Sequence, residues 1–217
     1  MRVSLEGAFD GDVNMARDSL LLAKAENGVP GARIYCWSGV WVTLGRFQKP
    51  AEAVQSGIPY TLRPTGGNAV LHGHDLTIAL AVPVSREQRV GLKLIYRRMT
   101  APILRALHAL GVEVTLGEQV GVPGKGSFGA DCFASTSAND IIFRETGEKI
   151  CGCALRITDR AALLQVSIPV GAPLIDPALA IPGAVASCHL SLSEDSLRTE
   201  LLQSIEAMDS EERAAGV

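Results

Sequence analysis

The chain has 217 residues, of which 47% are hydrophobic, and a formal net charge of −3. That composition supports a packed core, and the length fits one large domain or two small ones. The weak negative charge gives no reason to expect nucleic-acid binding, and the longest apolar run, residues 76–84, is too short to cross a bilayer. The N-terminus lacks the apolar stretch of a signal peptide, so we expect a cytoplasmic protein.

The cysteines and histidines do not form the patterns of a disulfide framework or a zinc site. Five cysteines are an odd number in a chain without an export signal, and only Cys151 and Cys153 lie close together, at C-x-C spacing. Disulfide frameworks carry even numbers of cysteines, and structural zinc needs a second pair at fixed spacing. We therefore expect no metal, and interpret most of these thiols as small buried hydrophobic side chains.

The spacing of apolar residues predicts helices inserted between groups of short strands. Helices are predicted over residues 12–26, 51–57 and 92–110 and from Ser191 onward, where Glu194 completes a capping box. Pro102 is expected to kink or split the third of these helices. Strands are predicted over residues 33–47, 59–62, 75–84, 112–116, 140–144, 149–157 and 161–170.

The order of these elements indicates an α+β fold. Strands follow one another through short turns, and helices do not alternate regularly with them as in a βαβ chain. No internal repeat or linker divides the sequence. We expect a single domain over residues 1–210 and a frayed tail over residues 211–217.

The densest group of chemically useful residues precedes the predicted strand at 75–84. Gly66 and Gly67 can bring backbone N–H groups close to a ligand, and Arg63 can pair with a phosphate or carboxylate. Thr65 and His72 add polar groups to the same segment. The pattern is typical of a ligand-binding turn, although a hairpin turn that carries polar residues has the same sequence features.

Lys149 stands at the head of a predicted apolar strand that contains Gly152. A lysine in this position is either a solvated charge at a strand end or a fixed cation for a carbonyl or carboxylate oxygen. A glycine inside a strand indicates a bulge or the close approach of a ligand. The segment is therefore a second candidate for the functional site.

Cys132 follows a glycine-rich stretch, residues 117–131, that we expect to be a mobile loop. It is the cysteine that strand or helix packing explains least. A thiolate is a strong nucleophile for acyl transfer, and nearby cations such as Lys149 or His72 would favour the thiolate form. An ordinary half-buried cysteine is the alternative interpretation.

In order and spacing, these segments resemble the biotin/lipoate protein ligase and octanoyltransferase superfamily. Residues 14–18 are similar to the family's N-M-A-x-D, and residues 45–48 to its G-x-x-Q. Residues 63–72 match R-x-[ST]-G-G-x-x-x-x-H, and residues 149–154 match K-x-x-G-x-A. The segment around Cys132 is similar to the A-C-F of octanoyltransferases with a cysteine nucleophile. The G-R-G-R-x-x-x-x-W hallmark of biotin ligases is absent.

The resemblance implies a class II biotin/lipoate ligase-like fold, with a mixed, largely antiparallel sheet, flanking helices and a smaller sheet. It implies an octanoyltransferase of lipoate metabolism that needs no cofactor. The donor would be octanoyl-acyl carrier protein, and the acceptor a lysine of a lipoyl-domain protein or a glycine cleavage H-type protein. Cys132 would carry the acyl group, and Lys149 would hold its carbonyl. The implied substrate-binding residues are Arg63, Thr65, Gly66, Gly67, His72, Gly152 and Ala154, with Val70, Leu71 and Ile150 as apolar lining.

The sequence also departs from the family pattern, which keeps two alternatives open. Leu62 replaces a family arginine, and Gln165-Val166 stands where the family commonly has His-Gly. One alternative is an ATP-dependent lipoate ligase, which would use ATP and Mg²⁺ and need no thiol. The other is a non-catalytic module that binds acyl chains or lipoyl domains. For an acidic carrier, the candidate docking residues are Arg97, Arg98 and Arg105.

Overall fold

The computed structural model describes residues 1–85, 91–122, 129–185 and 187–215, with side chains up to residue 211. This part of the chain contains ten strands and four α-helices. The strands are β1 (Arg2–Phe9), β2 (Gly31–Trp37), β3 (Trp41–Leu44), β4 (Tyr60–Leu62), β5 (Val70–His72), β6 (Asp75–Pro83), β7 (Val114–Leu116), β8 (Ile141–Phe143), β9 (Lys149–Ile157) and β10 (Ala161–Pro169). The helices are α1 (Gly11–Glu26), α2 (Pro50–Ala53), α3 (Leu92–Ala109) and α4 (Glu194–Ala215).

Seven strands form one sheet in the order β1-β2-β6-β10-β9-β8-β7, and three form a small sheet in the order β4-β3-β5. In the large sheet only β1 and β2 run parallel, and all other neighbours are antiparallel. The small sheet has one parallel and one antiparallel pair. The predicted α+β class, with a mixed, largely antiparallel sheet and a smaller one, is confirmed.

Strand β6, in the interior of the large sheet, shows why this sheet is covered on both faces. Its residues alternate between two apolar clusters: Leu76, Ile78 and Leu80 belong to one, and Ala79 and Ala81 to the other. The first cluster packs under α3 and α4, and the second under α1. Burial of both faces explains why this strand has an almost unbroken apolar sequence. The small alanines leave room on the α1 face, where the small sheet also lies.

Several boundaries differ from those predicted from the sequence. Strand β1 was not predicted, because its apolar alternation stops at Leu5, where the pairing with β2 becomes irregular, and Leu5 itself is half exposed at the sheet edge. Helix α3 is continuous through Pro102, because its buried face packs into the core. Helix α4 starts at Glu194 rather than after Ser191, and the Ser193 hydroxyl accepts a hydrogen bond from the backbone N–H of Ser196.

The two segments expected to be irregular are partly regular. Helix α4 extends to Ala215, so the tail predicted to be frayed is helical up to that residue. In the glycine-rich stretch, residues 117–120 form one 3-10 turn, and residues 123–128 lie outside the described residues. Across the described ranges, no helix is both long and apolar enough to span a membrane.

Candidate active site

A cavity between the small sheet and the large sheet collects most of the predicted site residues. It encloses about 420 Å³ of space, its mouth included. Its walls are formed by Met15, Tyr35, Trp37, Thr43, Arg63, Gly67, Val70, His72, Thr77, Cys132, Gly152, Cys153, Ala154, Gln165, Val166 and Ser167. The structure thus brings Cys132, Gly152 and Ala154 together with Gly67 of the Gly-Gly turn. Val70 lines the pocket as predicted, whereas Ile150 and Leu71 do not. Ile150 is buried in the core on the α3 face, and Leu71 packs in a separate apolar cluster with Val42 and Leu44 of β3.

Cys132 lines this cavity, and Lys149, which is not part of the cavity wall, contacts the Cys132 sulfur. The two residues form the chemical centre of the site. The Lys149 ammonium lies 3.3 Å from the Cys132 sulfur and donates a 2.6 Å hydrogen bond to the carbonyl oxygen of the same residue. On its other side it pairs at 3.0 Å with the carboxylate of Asp140. Burial disfavours the charged form, but the Cys132 sulfur and the Asp140 carboxylate together raise the pKa of Lys149. The ammonium therefore stays charged although its side chain is buried.

A bulge in β9 explains why Lys149 and Gly152 face the same side. Ile142 pairs with Lys149 and Ile141 pairs with Cys151, so Ile150 is an extra residue on β9. In a regular strand, two residues that are three positions apart point to opposite faces of the sheet. When a bulge adds one residue between them, they point to the same face. Ile150 and Cys151 consequently both enter the core. The bulge therefore lets Lys149 and Gly152 both approach Cys132 although three positions separate them.

Gly152 leaves space directly beside the sulfur. A Cβ at this position would lie 3.5 Å from the Cys132 sulfur and 3.5 Å from the Phe133 ring, which is ordinary contact distance. An alanine would therefore fit without a clash, but it would occupy the position next to the thiol. Because glycine has no side chain, an acyl group can approach the sulfur from this strand.

Arg63 has a structural task that the sequence did not indicate. Its guanidinium donates hydrogen bonds to the backbone oxygens of Gly66 (2.7 Å), Asn68 (2.6 Å) and Thr43 (3.0 Å). Burial lowers its pKa to about 10. The arginine lines the cavity, but its guanidinium N–H groups donate to these three backbone oxygens. It therefore stabilises the conformation of the Gly-Gly turn. A role in contacting substrate stays a prediction.

Gly66 and Gly67 have different surroundings in the turn. Gly67 has a φ of +91° and lines the cavity, and its backbone packs so closely against Gly45 that a Cβ on Gly45 would collide with it. Gly66 faces open space. Thr65 and Gly66 do not form part of the cavity wall, so their predicted contact with substrate remains a prediction.

His72 is held by a directed series of hydrogen bonds. Arg63 donates to the Thr43 hydroxyl at 3.3 Å, and the Thr43 oxygen lies 2.8 Å from Nε2 of His72. Nδ1 of His72 lies 2.8 Å from the carboxylate of Asp75. Because the carboxylate can only accept, Nδ1 carries a proton and donates a hydrogen bond to Asp75. The ring also stacks on Trp37, with 3.9 Å between ring centroids.

Asp75 is the buried acceptor at the end of this series. Besides His72, it accepts hydrogen bonds from the hydroxyls of Ser167 (2.7 Å) and Thr77 (2.9 Å). Burial alone would raise its pKa, but His72 and the Ser167 hydroxyl hold the pKa of Asp75 at about 2. The polar groups of the cavity floor are thus satisfied within the protein, and the cavity presents mostly carbon atoms.

Gln165, which stands at the position of the family's histidine, joins two walls of the cavity. Its amide oxygen accepts a 2.6 Å hydrogen bond from the Thr65 hydroxyl, and its amide nitrogen donates one of 2.6 Å to Asp18. Burial raises the pKa of Asp18, although Arg33 and the Tyr35 hydroxyl also contact its carboxylate. Gln165 therefore connects the Gly-Gly turn with helix α1.

Sequence reasoning missed Asp140 and Asp75 as parts of the site. Asp140 was placed only at the start of a predicted strand, and its distance from Lys149 could not be inferred without the register of β8 and β9. Asp75 lies three residues after His72, and that spacing was the available signal. In the described part of the chain, no three His, Cys, Asp or Glu side chains gather in a way that could hold a metal ion.

Residues 10–187 match the family described as the lipoyl protein ligase A/B catalytic domain. Octanoyltransferase LipM of Carboxydothermus hydrogenoformans is 34% identical over 158 residues, which are 68% of this chain and 56% of that protein. Octanoyltransferase LipM of Oceanobacillus iheyensis is 31% identical over 171 residues, 74% of this chain and 60% of that protein. The match thus spans less than two thirds of either relative's length.

Solved structures agree in fold. A crystal structure of lipoate-protein ligase A bound with ATP superposes with a TM-score of 0.76 at 21% identity, over 95% of this chain and 84% of that one. A bipartite lipoate protein ligase of Thermoplasma acidophilum, studied with its E2 lipoyl domain, gives a TM-score of 0.74 at 18% identity, over 95% and 82% of the two chains. The predicted superfamily is confirmed, and the chain belongs to the lipoyl protein ligase A/B catalytic domain family.

Proposed function

We propose that the protein is an octanoyltransferase that moves an octanoyl chain from an acyl carrier protein to a lysine of a lipoyl-domain protein. The observation that carries this proposal is the Lys149 ammonium 3.3 Å from the Cys132 sulfur, at a cavity walled mostly by carbon. A fixed cation at this distance can stabilise negative charge that develops beside the sulfur, and a thiol is a natural nucleophile for acyl transfer. The octanoyltransferase relatives support the same reaction class.

The first step would load the thiol. The Cys132 thiolate attacks the carbonyl carbon of the donor thioester, and negative charge develops on the carbonyl oxygen. The Lys149 ammonium can stabilise that charge, since it is fixed beside the sulfur before the reaction begins. Collapse of the intermediate breaks the bond to the donor sulfur, which leaves as the carrier thiolate. Cys132 then holds the octanoyl group as a thioester.

The second step would return the enzyme to its starting state. The neutral ε-amine of the acceptor lysine attacks the carbonyl carbon of the octanoyl-cysteine. An amide bond forms, the carbon–sulfur bond breaks, and Cys132 leaves as a thiolate. The proton lost by the amine passes to solvent. Lys149 would again face the developing negative charge, so one cation serves both steps.

The length of the cavity supports a medium-chain acyl group. In the register of the large sheet, Gly152, Ser167, Thr77 and Tyr35 lie side by side on four adjacent strands. Neighbouring strands lie about 4.8 Å apart, so the floor of the cavity from Gly152 to Tyr35 is about 14 Å long. An eight-carbon chain extends about 9 Å, from C–C bonds of about 1.5 Å. The aromatic rings of Tyr35 and Trp37 occupy the remaining length at the far end.

Mass spectrometry of the intact protein tests the proposal. After incubation with octanoyl-acyl carrier protein, we expect a mass increase of one octanoyl group that hydroxylamine removes, as it cleaves thioesters. Cys132→Ser should abolish the adduct, whereas Cys153→Ser, which changes another thiol at the cavity wall, should retain it. An adduct that survives Cys132→Ser would exclude this nucleophile. Pyrophosphate release with lipoate and ATP would favour a ligase instead.

A further inference from the structure

Two arginines flank the outer side of the Gly-Gly turn. The backbone N–H of Arg46 donates to the carbonyl of Thr65 at 3.0 Å, and the guanidinium of Arg156 donates to the carbonyl of Pro64 at 3.3 Å. Both line an open cleft of about 890 Å³, its mouth included, together with Leu92, Ile157, Thr158 and Asp159. The Arg46 guanidinium also lies over the Phe47 ring, 4.7 Å from its centroid. The cleft is therefore cationic, with two guanidiniums and one carboxylate.

We propose that Arg46 and Arg156 bind the phosphate of the phosphopantetheine arm that carries the donor acyl group. This inference rests on the proposed function and extends it to recognition of the donor. Guanidinium groups bind phosphate oxygens through paired N–H donors, and two of them in one cleft can grip a phosphodiester from both sides. Arg156 contacts the turn through its guanidinium and Arg46 through its backbone N–H, so both residues lie beside the turn that lines the active-site cavity.

The distance from this cleft to the thiol fits the arm. Arg156 lies four residues beyond Gly152 on the same strand, which corresponds to about 13 Å. The arm between phosphorus and sulfur contains about 13 bonds and extends about 16 Å, from bond lengths of about 1.5 Å. A phosphate at the arginines therefore places the donor thioester within reach of Cys132.

The surface of β9 between the two points is suited to a thin, extended chain. Alternate residues of a strand share a face, so Gly152, Ala154 and Arg156 lie in one row. Two small side chains followed by a cation leave a shallow track that leads from the cleft to the thiol. The amide groups of a pantetheine arm could lie along this track.

The arginines of α3 are less suited to the same task. Arg97 pairs with Glu118, and Arg105 pairs with Glu211 at 3.1 Å. Binding a phosphate there would first break an ion pair. The cleft at the Gly-Gly turn is also the closer of the two to the cavity, because its arginines contact the turn itself.

The experiment compares two soluble donors that differ only in the phosphate, octanoyl-phosphopantetheine and octanoyl-pantetheine. The rate of octanoyl-Cys132 formation is measured by quenched mass spectrometry for each. We expect the wild-type protein to prefer the phosphorylated donor. The ratio of the two rates should fall several-fold in Arg46→Ala and in Arg156→Ala, and at least tenfold in the double variant. Arg2→Ala removes an exposed arginine on β1 and should leave the ratio unchanged.

An unchanged ratio in the double variant, even with slower transfer from both donors, would overturn the proposal and leave the arginines as supports of the turn. A titration with phosphopantetheine itself, which needs no acyl transfer, separates this proposal from the function. If the wild-type protein accepts neither donor, the proposed function fails. If the wild-type protein still binds phosphopantetheine and the double variant does not, the cleft remains supported as a phosphate site. ATP that displaces phosphopantetheine and releases pyrophosphate with lipoate would instead assign the arginines to a nucleotide.

Discussion

Replacing Lys149 by methionine tests whether the ammonium acts on the reaction or only on folding. At 3.3 Å, the attraction between the ammonium and a thiolate is about 5 kcal/mol at an effective dielectric constant of about 20. Asp140, at 3.0 Å, competes for the same cation. We therefore expect a loss of roughly 3–4 kcal/mol, or about 10²–10³-fold in the rate of acylation of Cys132.

The same substitution also leaves the Asp140 carboxylate buried without its cation. Breaking a buried ion pair from one side costs about 3–5 kcal/mol of stability, so a slow variant could simply be a poorly folded one. Lys149→Met combined with Asp140→Asn removes both charges and avoids the unpaired carboxylate. The double variant should unfold nearer to the wild-type denaturant concentration than the single variant does.

The assay is the time course of octanoyl-Cys132 formation, measured beside urea unfolding on the same samples. The stability of the double variant should recover while its acylation rate remains about 10²–10³-fold below that of the wild type. If the double variant acylates Cys132 at the wild-type rate, Lys149 has no role in the chemistry. The reasoning from its position would then be refuted.

Three further changes test other contacts of the site. Gln165→Leu leaves Asp18 and Thr65 without their amide partner, so the free energy of unfolding in urea should fall by about 2–4 kcal/mol, and an unchanged midpoint would contradict the buried connection. The folded pKa of Asp75, about 2, lies below its ordinary value near 4, so its contribution of about 2 kcal/mol is present above pH 4 and disappears as the pH falls from 4 to 2. Urea midpoints of wild type and Asp75→Asn should converge over that range, and parallel curves would refute this. Gly152→Val should slow acylation more than tenfold and Gly152→Ala less, because a Cβ fits there but branched methyl groups fill the space beside the sulfur; equal rates would show that the acyl group approaches from elsewhere.

The elements with long, regular apolar patterns were predictable from the sequence. Helix α1 and strands β6 and β9 were predicted within one or two residues, because their periodicity reflects burial against a sheet or helix. Strand β1 escaped prediction because it is an edge strand whose exposed residues interrupt the pattern. Family motifs also indicated which segments would meet at the cavity.

The contacts within the site depended on registers that no local pattern specifies. The bulge at Ile150 decides that Lys149 faces Cys132, and it becomes visible only when β8 and β9 are paired. Arg63 looked like a ligand contact because arginine often binds anions, whereas burial directs its donors to backbone oxygens. The residue types alone allowed several partners for Lys149 and Arg63. The position of each side chain in the folded structure determined which partner it contacts.

The Asp140–Lys149 pair has a consequence for the fidelity of the proposed reaction. In that reaction the octanoyl group would end on a lysine amine, yet the site has a lysine of its own beside the sulfur that would carry the acyl group. Asp140 helps to raise the pKa of Lys149, and a protonated amine has no lone pair with which to attack a thioester. In the proposed reaction, the carboxylate would therefore protect the enzyme from acylating itself and leave the thioester for the amine of the acceptor protein.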